Sequence, residues 1–182
     1  MYASGISLAV MRDAVMEAFR VAKEAGAKIA FDANLRQKLW PLERAREAIA
    51  RATAMSDYFF PSLEDAQALS ERNDAGEILA WAHGLGAKNV FLKLGSEGVV
   101  VSDGTSQVRV KGCSVKFVDA TGAGDCFAGT ALARLCAGDD MVQAARYANA
   151  AAALKTTAYG AVGPIPRPGA VRGLLQSIEC AP

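Results

Sequence analysis

Two acids bracket a glycine-rich turn in the run Asp119-Ala120-Thr121-Gly122-Ala123-Gly124-Asp125, which continues as Cys126-Phe127-Ala128-Gly129-Thr130-Ala131-Leu132. Small side chains at Gly122, Ala123 and Gly124 leave their backbone N–H groups open to an anion. The amino end of a following helix adds partial positive charge at the same point. Asp125 falls in the first helical turn, where a carboxylate is stabilised. A carboxylate there repels a phosphate that is merely held, so an acid beside an anion cradle points to a hydroxyl or a metal as its object. The chemistry this suits is attack by a hydroxyl on a polyphosphate. The plainer reading is a glycine-rich loop capping a helix, with Asp125 serving only the dipole. The length of the run, with acids at both ends of the turn, favours the functional site. The turn is not a Walker-type loop, because no Gly-Lys-Ser/Thr closes it. Nor is it a dinucleotide fingerprint, because no Gly-x-Gly-x-x-Gly follows a strand.

The elements that must position this turn alternate along the chain. Leu8, Met11, Val15, Phe19 and Ala22 recur at helical spacing and predict a helix over 7–25 stopped by Gly26, followed by a strand over 28–31 that ends at Asp32. A second helix over 42–53 stands behind Pro41, and a second strand over 57–60 stops at Pro61. Ser62 caps a third helix over 63–70, with Asp65 completing a shortened capping box. A helix over 78–85 and a strand over 89–94 follow; the Gly95-Ser96-Glu97-Gly98 turn then leads into a strand over 99–102, and Asp103-Gly104 signals a hairpin into a strand over 106–110. Helices over 123–137, 141–156 and 168–178 finish the pattern. Such alternation predicts the α/β class, a mostly parallel sheet with helices on both faces. Ligands of such sheets bind beyond the carboxyl ends of the strands, where Asp32, Pro61 and Gly95 fall.

At 182 residues the chain suits one domain, taken over 1–182. A formal net charge of +1 and the lack of a basic run give no electrostatic case for nucleic acid or an anionic membrane. With neither a signal-peptide pattern nor a spanning apolar stretch, the expectation is a soluble, cytoplasmic protein. Cys113, Cys126, Cys136 and Cys180 form no C-x-x-C pair and read as buried small apolar side chains, and His83 has no second histidine with which to share a metal.

Three segments together carry a family resemblance. The run over 119–132, the segment Phe31-Asp32-Ala33-Asn34-Leu35-Arg36-Gln37-Lys38-Leu39-Trp40, and the loop Lys93-Leu94-Gly95-Ser96-Glu97-Gly98 resemble, in the right order, the C-terminal part of a ribokinase-like (PfkB) sugar kinase. Ser4-Gly5-Ile6, the Asp-x-Asn-x-Arg segment, Asn149-Ala150-Ala151-Ala152-Ala153 and Tyr159-Gly160-Ala161-Val162 look most like the 2-keto-3-deoxygluconate kinases, and fructokinases share much of this. The resemblance implies ATP-dependent phosphoryl transfer to a sugar or sugar acid, with Mg2+ and in some relatives K+. It implies Asp125 as the base and the amides of Gly122, Ala123 and Gly124 as the anion hole. Arg36, Asp32 and Asn34 are implied at the substrate. Lys93, Gly95 and Gly98 would border the nucleotide, and Asn149, Gly160 and Ala161 would lie near the adenine. Asp119 resembles the acid that helps hold a monovalent cation. Arg36 can grip a carboxylate or phosphate in a bidentate way, against the plainer reading of a surface ion pair.

The chain also departs from the family pattern. Ser62 and Asp65 stand where many relatives have an Asn-x-x-Glu segment that organises magnesium through water; both offer oxygen ligands, and both also fit a helix cap. Ser4-Gly5-Ile6 matches a point midway through the family, so the first strands, the sugar-gripping Gly-Gly segment and the β lid are expected to be lacking. An exposed sheet edge then predicts a homo-oligomer. The alternatives are a non-catalytic nucleotide-binding or assembly module, and a kinase of fructose, ribose or a nucleoside.

Overall fold

The computed structural model describes residues 1–179, which fall into two compact units. The first comprises residues 1–93 with 102–107, and the second the rest of the described chain.

In the first unit short apolar runs become strands and amphipathic runs become the helices between them. The order is β1 (Tyr2–Ser4), α1 (Gly5–Glu24), β2 (Ala30–Asp32), α2 (Leu42–Met55), β3 (Tyr58–Phe59), α3 (Leu63–Ser70), α4 (Ala75–Gly84) and β4 (Asn89–Lys93). The four strands pair in parallel, with Ala3 opposite Phe31, Phe31 opposite Phe59 and Phe59 opposite Val90. Aromatic side chains exploit that register. Phe31 stacks on Phe59 with ring centroids 6.0 Å apart, Phe60 on Phe91 at 4.8 Å, and Phe19 of α1 meets Phe31 edge-on at 6.2 Å. α1 buries Leu8, Val15 and Phe19, while α2 buries Ala45, Ala48, Ile49 and Ala52. At the amino ends of the strands, buried Asp57 accepts hydrogen bonds from Ile29 N–H at 2.9 Å and Lys88 Nζ at 2.8 Å. Burial alone pushes the Asp57 carboxyl up. Lys88, the Ile29 amide and Lys28 outweigh it and hold the group below the usual carboxylate range.

The second unit takes up β5 (Gly98–Ser102) and β6 (Gln107–Lys111) apart from Ser102 and Gln107, then α5 (Ala123–Cys136), α6 (Met141–Lys155) and α7 (Pro168–Glu179). α5 and α6 are neighbours, and Ala150, Ala151 and Val171 centre a small core with Tyr147, Leu154, Leu174 and Leu175. Alanines let these helices approach closely.

The expected α/β class with a mostly parallel sheet is what the chain adopts. Several boundaries differ. β1 was not anticipated, since three residues are too short to show a period. α1 starts at Gly5 and bends at Met11, where φ is −133°. The capping box falls at Asp140 and Gln143, whose side chain and backbone groups bond reciprocally, and not at Ser62 and Asp65. Ser62 Oγ does accept from Asp65 N–H at 3.0 Å, but the Asp65 carboxylate turns to the Leu35 N–H and the Ser62 hydroxyl. Of the cysteines expected to be buried, Cys113 and Cys126 are half-buried and pack against the Ala150, Ala151 and Val171 core, Cys136 is exposed, and Cys180 lies outside the described residues. Among the described residues no helix is long and apolar enough to cross a membrane.

Candidate active site

At the carboxyl ends of the first unit's strands, β-register brings together residues far apart in sequence. Ser4 lies opposite Asp32, and Ser62 bridges to Lys93. Lys93 Nζ donates to Asp32 Oδ2 at 2.7 Å, with the two side chains 15% and 3% exposed. Asp32 Oδ1 also accepts from Asn34 N–H at 3.2 Å, which holds Asn34 at a left-handed φ of 33°. Such a backbone is strained for any residue with a side chain, and asparagine tolerates it better than most. Two carboxylates therefore stabilise the loop that presents Arg36: Asp32 through Asn34, and Asp65 through Leu35. Burial raises the Asp65 carboxyl above its ordinary range, against the Leu35 amide, Ser62 and Lys93. Arg36 itself is exposed, donates to Leu35 O at 2.9 Å, and among the described residues has no carboxylate partner, unlike a surface ion pair.

His83 is accounted for by structure. Its ring nitrogens lie 2.8 Å from Ala87 O and 2.9 Å from Ser102 Oγ. No group of three or more His, Cys, Asp or Glu among the described residues is placed to hold a metal.

The second unit holds the glycine-rich turn. Gly122 caps α5 with φ 75°, and a Cβ at that position would come within 3.3 Å of Ala161 O. A left-handed cap pressed against another backbone calls for glycine. Ala123 N–H closes the turn on Ala120 O at 3.0 Å, while Gly122 and Gly124 N–H have no backbone acceptor among the described residues. These two amides, with the helix dipole, form the anion-attracting end of α5. Asp125 follows on the first turn and is exposed.

Asp119 ties this turn to the segment after α6. Its Oδ1 accepts from Thr121 N–H at 2.9 Å and Thr121 Oγ1 at 2.7 Å, and its Oδ2 accepts from Gly160 N–H at 2.8 Å. The Thr121 hydroxyl, then the Thr121 and Gly160 amides, lower its pKa to about 2. Thr156 O receives Val118 N–H at 2.8 Å and Asp119 N–H at 3.0 Å. Gly122, Gly160 and Ala161, distant in sequence, are thus gathered in one place. Sequence reasoning missed Lys155, which is fully buried and donates to Asp119 O at 3.3 Å. The only signal was a lysine in an otherwise alanine-rich helical run.

The expected nucleotide-side residues divide. Gly98, with φ 105°, packs so tightly on β6 that a Cβ would fall 2.1 Å from Val110 O, while Gly95 opens onto free space. Lys93 is engaged by Asp32. The Asn149 side-chain amide donates to Val110 O at 3.2 Å and Lys111 O at 3.1 Å, which fastens the end of β6 to α6.

Residues 1–168 match the pfkB family of carbohydrate kinases. The chain is 32% identical over 160 residues to the 2-dehydro-3-deoxygluconokinase of Bacillus subtilis (strain 168), covering 87% of this chain and 49% of that enzyme. Its backbone resembles aminoimidazole riboside kinase from Salmonella enterica in complex with aminoimidazole riboside and an ATP analogue, with TM-score 0.89, 31% identity, and coverage of 96% of this chain and 61% of that one. It also resembles a fructokinase double mutant from Vibrio cholerae O395 holding fructose, ADP and a potassium ion, with TM-score 0.90, 32% identity, and coverage of 96% and 59%. The chain spans about half the length of the curated relatives it matches. With its glycine-rich turn, its Asp-x-Asn-x-Arg loop and this likeness, the chain belongs to the pfkB family of carbohydrate kinases.

Proposed function

We propose that this chain carries the catalytic base and phosphoryl-donor side of a cytoplasmic, ATP-dependent sugar kinase, with 2-keto-3-deoxygluconate as the acceptor. The observation that carries the reading is Asp125 on the first turn of α5, next to the amides of Gly122 and Gly124, which have no backbone acceptor among the described residues. Mg-ATP supplies the electrophilic γ-phosphoryl group. Asp125 takes the proton of the attacking hydroxyl as the new O–P bond forms and the bond to the β-phosphate oxygen breaks. An ordinary carboxylate is a weak base toward an alcohol, so the proton moves late, once transfer has made the hydroxyl acidic. The amides of Gly122 and Gly124 meet the negative charge that develops on the moving group.

Arg36 is assigned the carboxylate of a sugar acid, supported by its lack of an acidic partner among the described residues. Ser62 and Asp65 already engage one another and Leu35, so any contact they make with magnesium runs through water. Likeness to fructokinase and aminoimidazole riboside kinase keeps fructose and ribosides as competing acceptors. The potassium ion of the fructokinase relative makes a monovalent cation at Asp119 a further expectation, yet every Asp119 oxygen already accepts a hydrogen bond.

A coupled ADP-release assay tests the reading with 2-keto-3-deoxygluconate, 2-keto-3-deoxygalactonate, fructose, ribose and aminoimidazole riboside as acceptors. The expected result is the highest kcat/KM with a keto-deoxy sugar acid, and its loss in Arg36→Ala. Preference for a neutral sugar would overturn the substrate assignment. Self-association belongs to the same proposal, supported by the exposed Tyr2, Ile6, Val10 and Met11 of β1 and α1; sedimentation showing only monomer would reject it.

A further inference from the structure

We propose that the ammonium of Lys155 is a tethered cation at the Asp119 turn, doing the work of a bound monovalent metal ion, so that the protein operates without potassium. The inference rests on the kinase reading above and concerns how its cradle is charged.

Lys155 sits at the end of α6, fully buried, and Nζ donates to Asp119 O at 3.3 Å. Among the described residues no carboxylate lies within ion-pair distance of it. An ammonium withdrawn from water without a carboxylate costs several kcal/mol, and retention there calls for compensating oxygens or a charge-dependent role. Each oxygen that the Asp119 turn could offer a cation already accepts at least one hydrogen bond. Asp119 Oδ1 accepts twice from Thr121, and Oδ2 accepts from Gly160 N–H. Thr156 O accepts from Val118 and Asp119 N–H. The remaining Asp119 carbonyl faces Lys155. Lys155 already brings a positive charge to the Asp119 carbonyl and acts on the Asp119 carboxylate, so an added cation there would meet like-charge repulsion.

The charge reaches both ends of the turn. It helps hold the Asp119 carboxyl low, and it acts against the burial that raises the Cys126 thiol on the first turn of α5. The amides of Gly122 and Gly124 lie between those two residues, so one fixed positive charge backs the anion-attracting end of the helix.

The test compares thermal unfolding of the wild type and Lys155→Met in about 100 mM KCl and in choline chloride of equal concentration. The wild type should melt at the same temperature in both salts. Lys155→Met, with a cation position vacated, should melt higher in KCl by about 4 °C or more. Potassium-specific stabilisation of the wild type, or a Lys155→Met protein indifferent to the choice of salt, would overturn the proposal. Should Lys155→Met fold in neither salt, the wild type decides alone: a potassium-specific gain in its melting temperature or ATP-dependent rate counts against the proposal, and identical values support it. Absence of ATP-dependent turnover in every salt would sink the kinase reading while leaving the melting comparison intact.

Discussion

Lys93 Nζ meets Asp32 Oδ2 at 2.7 Å, joining the carboxyl ends of β4 and β2 inside the first unit. The residue expected at the nucleotide and the residue expected at the substrate thus hold each other. Removing one partner from a buried pair leaves an uncompensated charge, so Lys93→Met should cost about 3–5 kcal/mol in urea denaturation. The double variant Lys93→Met with Asp32→Asn should lose less than the two single losses combined. Strict additivity would show that the two side chains act independently.

Gly122→Ala puts a side chain on a left-handed cap with its Cβ near Ala161 O, and should cost about 1–3 kcal/mol. Turnover should fall with it, since the cradle amides move. Gly129→Ala is the contrast, because Gly129 lies within α5 with open space around it. That change should stabilise by about 0.5–1 kcal/mol, measured in the same denaturation series.

Asp57 predicts an acid limb in the stability curve. Its folded pKa lies below the unfolded value, so its contribution is fully present above the ordinary aspartate range and is lost as pH falls through the folded value. Asp57→Ala should cost about 1.5–3 kcal/mol at neutral pH, from the charged hydrogen bonds to Ile29 and Lys88. The wild-type and variant stabilities should converge in acid. Parallel pH curves would place the effect elsewhere.

Asp65 is predicted to act through the Arg36 loop. Asp65→Ala releases the Leu35 N–H, and the acceptor KM should rise about tenfold while the ATP KM stays within twofold, a loss of about 1.4 kcal/mol in acceptor binding. Asp65→Asn keeps an acceptor oxygen and should recover most of it. An unchanged acceptor KM in Asp65→Ala would separate the loop from the substrate.

The helices over 63–70 and 123–136 were legible because each carries its own start signal, Ser62 in one case and Gly122 in the other. The cradle was legible for the same reason: glycines and acids lie within one short run. What escaped sequence reasoning depends on long-range register. Nothing local tells that β2 and β4 bring Asp32 to Lys93, or that Gly160 N–H returns to Asp119. Asp65 was read as a cap because capping is local, whereas its carboxylate is taken by Leu35, which is distant in sequence. Lys155 was missed, since the alanine-rich run around it shows a helix but not that its lysine is buried.

Asp125 is assigned the role of base for phosphoryl transfer from ATP. The most direct measurement is kcat for Asp125→Asn on the protein carrying this chain, alongside its affinity for Mg-ATP by calorimetry. The expected fall in kcat is about 10²–10⁴-fold, with nucleotide affinity changed less than threefold. An Asp125→Asn protein that turns over at the wild-type rate would contradict it.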